Sequence, residues 1–310
     1  MNLTLRQLEV YAHVARARSF TAAAAELLVA QSVVSRTIKE IERHLGAQLL
    51  SRSTRSVRLT PEGEHLLRLA EAVLRTHRDA GRAFDRYLRG DEGTVEVATL
   101  PSVAAVLLPS IVKSFVASHP GVHLRILDGL SHSVLDNVAA GAADLGITIG
   151  DWLPDGLTAR PLVSDQMAVL LPPDHPLCEQ PVLTWTQVAG EPVIALSSDS
   201  SVRVLTDQAF AAIGARVNTL IEAGNIATVG GLTAAGLGIA VLPTLVHPLL
   251  SFAGLTSRPL VEPTVQRHLA VITQQDAPLS PAAALFIAHL VRAAPIVAKR
   301  LAPPEGRLTV

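Results

Sequence analysis

The hydrophobic pattern of this chain changes period at Gly90-Asp91-Glu92-Gly93. Before this tetrapeptide, apolar residues recur at helical spacing. After it, short strand-like runs alternate with helical segments. Such a break predicts separate units of different class, with the glycine-rich tetrapeptide as the hinge, residues 90–93. The charge balance changes at the same place. Residues 1–89 carry 15 Arg and Lys against 9 Asp and Glu, although the formal net charge of the whole chain is only -1. A basic first part predicts an anionic partner, nucleic acid foremost.

Residues 1–60 read as a compact helical unit with a hairpin. Leu5, Leu8, Val10, Tyr11 and Val14 form a helical stripe. Ser19 or Thr21 can cap the next short helix, "AAAAELL". In "AQSVVSRTIKEIERHLG", Val34, Ile38, Ile41 and Leu45 recur at helical spacing, Ser32 is placed to cap and Gly46 to terminate. Leu49-Leu50 and Val57-Leu59 read as two short strands around a polar tip. Helix, helix, turn, helix and hairpin make a winged helix-turn-helix. Thr60-Pro61 then starts a long helix over residues 61–89. Its Leu66, Ala70, Val73, His77, Ala80, Phe84 and Tyr87 alternate steps of four and three, an a/d seam that predicts dimerisation.

From Thr94 the runs "TVEVATL", "VHLRIL", "LGITI", "MAVLL", "PVIAL", "RVNTLI", "IAVLP" and "RHLAVIT" read as strands. Helices are expected over 102–118, 131–140, 202–213, 226–235 and 281–301. The alternation predicts parallel strands with crossover helices in two α/β lobes. The lobes are expected at about 94–162 with 264–302, and 163–263, the last strand and helix returning to the first lobe. No Asp, Glu, Lys or Arg occurs from Ala223 to Ser257, apart from Glu222 just before it and Arg258 just after, but the glycines and prolines that break this run favour a buried helix, turn and strand over a membrane span. Cys178 is the single cysteine, so no intrachain disulfide forms; this and an N-terminus without a signal-peptide pattern predict a cytoplasmic protein.

The polar face of the 31–45 helix carries the chemistry. In a helix-turn-helix the second helix enters the major groove with its N-terminal residues at the base edges. Gln31, Ser32, Ser35 and Arg36 occupy that end. Gln suits adenine, Arg suits guanine, and Ser is tolerant. Lys39 and Arg43 lie further along, where they would meet phosphates. Arg52, Arg55 and Arg58 in the wing can reach the backbone or minor groove. The second half offers no catalytic set. His175 and Cys178 are too few for a metal site, "GLGIA" lacks the dinucleotide fingerprint, and "SSDSS" lacks the nucleophile-elbow glycines. No metal or cofactor is expected. Hydroxyls at the strand ends can instead hold a ligand: Ser102 and Ser201 opening helices, Thr148 ending a strand, and Thr228 near a helix start. Arg203 is a candidate counter-charge.

The arrangement resembles the LysR-type transcriptional regulators. "LRQLEVYAHVARARSFTAAAAELLVAQSVVSRTIKEIERHLGAQLLSR" carries the family's N-terminal signature, and "LTPEGEHLL", "AAGAADLGI", "PDHPL" and "AAGLGIAVLP" follow in family order. Leu50-Ser51 and Ser32-Val33 depart from the pattern, where an aromatic and prolines are frequent. The resemblance implies an α+β multidomain protein whose effector domain is a two-lobed, periplasmic-binding-protein-like unit. It implies DNA contacts at Gln31, Ser32, Ser35 and Arg36, with the inducer between the lobes near Ser102 and Ser201. The partners it implies are an interrupted dyad of double-stranded DNA, a small effector such as a carboxylate, a second copy in a homodimer or homotetramer, and RNA polymerase. Two rival readings stay open: a solute-binding protein fused to a helical domain, and a cleft enzyme.

Overall fold

The computed structural model describes residues 3–53, 56–151 and 153–301. Its chain divides into two compact units, 1–86 and 87–310. In the first, α1 (Leu5–Ala17) opens with a reciprocal cap. The Gln7 N–H donates to Thr4 Oγ1 at 3.2 Å, and the Thr4 N–H donates to Gln7 Oε1 at 3.0 Å. Ser19 caps α2 (Phe20–Glu26) by accepting from the Ala22 N–H. α3 (Gln31–Leu45) ends at Gly46, whose φ of 65° suits a residue without Cβ. The expected Ser32 cap is not formed. The helix starts two residues earlier, with Ala30 at the N-cap and no side-chain bond there. Ser32 already lies inside the first turn, too far along to close it.

β1 (Leu50–Ser53) and β2 (Ser56–Leu59) pair antiparallel as the wing. The wing is fastened to α3 by Glu42, whose Oε1 accepts from the Leu49 and Leu50 N–H groups at 3.0 and 3.2 Å. α4 (Pro61–Leu88) begins under Thr60, which accepts from the Gly63 N–H. Tyr11, fully buried, donates its hydroxyl to the Gly63 carbonyl at 2.6 Å; burial pushes its phenol well above the usual range. A Cβ on Gly63 would stand 2.1 Å from the Leu49 carbonyl oxygen, so only glycine lets α4 approach the wing this closely. Val14, Ala23, Val34, Ile38 and Ile41 complete the core.

The second unit repeats one motif. β3 (Glu92–Thr99) leads through a π-helical turn, Val103–Leu107, into α5 (Leu108–Ser118), then β4 (Gly121–Asp128), α6 (Ser131–Ala139) and β5 (Leu145–Ile149). The three strands are parallel in the order β4-β3-β5. β6 (Leu157–Leu171) follows as one strand of 15 residues, then β7 (Leu183–Thr184) and α7 (Trp185–Val188). β8 (Val193–Leu196), α8 (Ser201–Ala212), β9 (Thr219–Ala223), α9 (Ile226–Ala234) and β10 (Ala240–Pro243) then repeat the βαβαβ path. β9 lies parallel to β8, and β10 joins β8 through the Val193–Ile239 bridge. A 3-10 segment, Thr244–Ala253, precedes β11 (Thr256–Val261), β12 (Gln266–Gln274) and α10 (Pro281–Leu301).

The expected parallel pairing therefore holds for β4-β3-β5 and for β8-β9, whereas β6 and β12 pair antiparallel with each other and with the strands beside them. β12 runs its whole length beside the first two thirds of β6, Leu157 to Gln166, with one bulge between Leu269 and Ala270. β12 also pairs with β5, and β6 with β10 and β11. One apolar cluster surrounds Phe115 and Phe286, whose rings meet edge to face at 5.0 Å; another surrounds Trp185 and Phe210. α10 is long and apolar enough to cross a membrane. Here Ala282, Ala283, Phe286, Ile287, Leu290 and Ala294 bury one of its faces on the first cluster.

Candidate nucleic-acid interface and effector crevice

α3 presents two unlike faces. Val34, Ile38 and Ile41 are fully buried, while Gln31, Ser32, Arg36, Lys39 and Arg43 are exposed and Ser35 is half-buried. These six polar residues and Glu40 line a shallow hollow of about 610 Å³. Arg36 Nε pairs with Glu40 Oε1 at 3.0 Å, one helical turn on, yet its side chain stays 83% exposed. Such a surface pair is worth only about 0.3–0.5 kcal/mol, so the guanidinium is oriented along the helix without being withheld from a base. Lys39 and Arg43 have no acidic partner among the described residues. The absent side-chain cap leaves the first N–H groups of α3 available to an anion. Arg58 is exposed on β2; Arg55 and the side chain of Arg52 lie outside the described residues.

In the second unit the hydroxyl positions fall in pairs. Ser102 follows β3 and Thr148 lies on its parallel neighbour β5, flanking the point where the chain switches sides of β3. Ser201 and Thr228 follow β8 and β9, the matching strands of the other lobe. Their bonding differs from the expectation. Ser102 does not close a helix start: it is buried, and its Oγ accepts from Arg267 Nη1 at 3.3 Å. Thr148 is fully buried and donates to Ser131 Oγ at 2.9 Å. Ser200, not Ser201, caps α8. The half-buried Ser201 hydroxyl therefore has no protein partner among the described residues. Asn225 caps α9, leaving Thr228 exposed. Arg203 is not a free counter-charge, because Asp207 at 2.8 Å, Glu222 at 3.4 Å and the Leu196 carbonyl already occupy it.

Beneath Ser102 lies a charged pair. Arg267 on β12 and Asp165 on β6 stand opposite each other in register. Arg267 grips both carboxylate oxygens, Nε to Oδ1 at 2.9 Å and Nη2 to Oδ2 at 2.7 Å, with its own side chain 1% exposed. Asp165 also accepts from the Leu245 N–H at 3.1 Å. It thus ties the 3-10 segment after β10 to the strand pair that carries Ser102's partner. His247, two residues beyond Leu245, is buried with both ring nitrogens unpartnered among the described residues. Burial pulls its pKa down to about 4, against an upward push from Asp165.

Two family models match this chain. The bacterial regulatory helix-turn-helix protein of the lysR family covers residues 5–64, and the LysR substrate binding domain covers residues 88–295. The chain belongs to the LysR family of transcriptional regulators. Among its relatives is an uncharacterized HTH-type transcriptional regulator, YbhD of Escherichia coli (strain K12), 31% identical over 94% of this chain and 92% of that protein. YfeR of Shigella flexneri is 31% identical over 91% and 92% of the two chains. The fold is that of full-length CbnR complexed with its target DNA, with a TM-score of 0.79 and 21% identity over 94% of this chain and 100% of that one. Full-length OxyR C199D from Pseudomonas aeruginosa aligns with a TM-score of 0.70 and 22% identity over 94% and 100% of the chains.

This LysR regulator thus joins a DNA-binding helix-turn-helix to an effector-binding domain. Its Asp165, Arg267 and His247 escape a reading of the sequence. Their signal was weak: a lone cation inside "RHLAVIT" and a lone carboxylate before "MAVLL". Either could as well face solvent, until the register places one opposite the other. His175 and Cys178 belong to a local turn. His175 Nδ1 accepts from the Leu177 N–H, and Cys178 Sγ donates to the Pro172 carbonyl. No group of three or more His, Cys, Asp or Glu gathers for a metal among the described residues.

Proposed function

We propose that this regulator is a cytoplasmic, non-enzymatic dimer that reads an interrupted dyad in duplex DNA and responds to a small polar or weakly acidic effector. The observation that carries the reading is α3, with one stripe fully buried and a seven-residue polar hollow on the other side. Residues 1–60 bind DNA, 61–89 form the linker helix, 90–93 the connection, of which Glu92 and Gly93 already pair with β4 as the start of β3, and 94–302 the effector domain. The first lobe of that domain is 94–162 with 264–302, and the second is 163–263. Gln31, Ser32, Ser35 and Arg36 face base edges; Lys39, Arg43 and the wing arginines, Arg52 and Arg55 among them, face phosphates. Arg36→Ala and Gln31→Ala should each cost about 1–3 kcal/mol on a selected site and much less on random DNA. Lys39→Ala should weaken all DNA alike and lower the salt slope by about one. Titrations of both duplexes over a salt series measure this. An unchanged ratio of selected-site to random-DNA affinity in Arg36→Ala would overturn the assignment.

Dimerisation is assigned to α4. Leu66 and Ala70, the start of the seam, are buried in the helix's own unit, whereas Val73 is 45% and Phe84 60% exposed. The apolar row thus continues beyond the surface its own unit covers. Val73→Glu with Phe84→Glu would bury unpaired charge in a dimer. Light scattering should show the molar mass halved for a dimer, and an unchanged mass would move the interface elsewhere.

The effector is assigned to the strand ends, where Ser201 has a free hydroxyl and Ser102 still has an O–H to donate while Arg267 donates to it. Thr148 lies near the end of β5, and Thr228 in the first turn of α9 beyond β9. Arg203 is left to its two carboxylates. Binding shifts an equilibrium only as far as the effector prefers one lobe arrangement.

A further inference from the structure

Val33 breaks the pattern of α3. The other aliphatic residues in that helix are buried or half-buried, whereas Val33 is 51% exposed. It follows Ser32 in the first turn and shares a helix row with Arg36 and Glu40, three and seven residues on. It is not one of the residues that build the apolar core of its unit among the described residues. A β-branched residue also costs a helix more than alanine would. Packing on the core therefore does not account for it, and it borders the polar face of α3 beside Ser32 and Arg36.

The major groove has a matching feature. Most base-edge groups there are hydrogen-bond donors or acceptors, which a valine cannot satisfy. Thymine alone adds an apolar group, its C5-methyl. We propose that Val33 reads the C5-methyl of a thymine beside the base pairs met by Ser32 and Arg36, and so sets a specificity that the polar residues cannot set. This rests on the DNA-reading assignment of α3. It also accounts for the Ser32-Val33 departure: the valine brings a branched apolar side chain to the start of the recognition helix.

The test uses the full-length protein and does not require its operator sequence. Duplexes selected from a random-sequence library define a preferred site. Each thymine of that site is then replaced by deoxyuridine, which removes only the methyl group. One thymine per half-site should be methyl-dependent, its loss weakening wild-type binding about fourfold, the worth of one buried methyl or methylene group. Val33→Ala, at a half-exposed position, should bind the thymine and uracil duplexes equally. Val33→Thr, which keeps one γ-methyl, should restore part of the difference. A selected site indifferent to every thymine methyl, or a methyl dependence unchanged in Val33→Ala, would overturn the proposal alone. No enrichment from the library would overturn the DNA-reading assignment and this proposal with it.

Discussion

Arg267→Met is expected to lower the unfolding free energy of the effector domain by about 3–5 kcal/mol. The side chain is 1% exposed and holds both oxygens of Asp165. Removing it leaves a carboxylate at 9% exposure with the Leu245 N–H still donating to it. Little water reaches that charge, and the lost Coulomb attraction is not replaced. The cost belongs to the broken pair and not to the polar design itself. Arg267→Met with Asp165→Leu should therefore recover most of the stability, since apolar side chains of similar volume often replace a buried ion pair without loss. Calorimetric unfolding of the full chain resolves the effector-domain transition. A single-variant loss below about 1 kcal/mol, the range of exposed pairs, would mean that the pair is hydrated. The double variant should also free Ser102 from its donor, so altered effector affinity is expected even where stability returns.

His247 is expected to make the same domain acid-sensitive. Its ring is buried, and burial holds its pKa at about 4 against an ordinary value of 6.5. Well above pH 6.5 the ring is neutral in both folded and unfolded chains and contributes no pH dependence. Below pH 6.5 the unfolded chain takes up a proton that the folded chain refuses. Stability therefore falls as pH drops from about 6.5 to about 4, by roughly 3 kcal/mol in all at 1.36 kcal/mol per unit. Beneath pH 4 both states are protonated and this contribution levels off. Other groups titrate in the same range, so the measurement is the difference between wild type and His247→Phe, which keeps the ring volume without the titration. The two stability curves should converge toward acid pH from a wild-type advantage, or separate from equality. Parallel curves from pH 7 to 4 would show that the ring is reached by water.

Local interactions made much of this protein legible. The stripe of Val34, Ile38 and Ile41 fixes both the buried and the exposed face of α3, because a helix of 3.6 residues per turn leaves no other arrangement. Ser19, Thr60-Pro61 and Gly46 mark helix ends through groups one to three residues away. The alternating runs after Thr94 disclose α/β lobes because central strands such as β5, β8 and β10 are buried inside their lobes and must be apolar. β6 was legible only from Met167 onward. Its first part, "LTARPLVSDQ", is largely exposed and carries polar residues that a loop would carry too.

Tertiary structure decided what depends on residues far apart in sequence. Nothing near Ser102 announces that its hydroxyl accepts from Arg267, 165 positions away. Nothing near Asp165 announces the facing cation. Ser200 and Ser201 are chemically alike, and only the path of the chain into α8 selects the one that caps and the one left open. Gly63 reads as an ordinary first-turn residue until the Leu49 carbonyl stands where its Cβ would be. The sequence by itself determined most of the elements and the exposed polar face of α3, since hydrophobic period and capping act over a few residues. The crevice was decided by strand register, which brings distant polar groups within about 3 Å of one another, hydrogen-bond range, and gives each its partner only after the chain has folded.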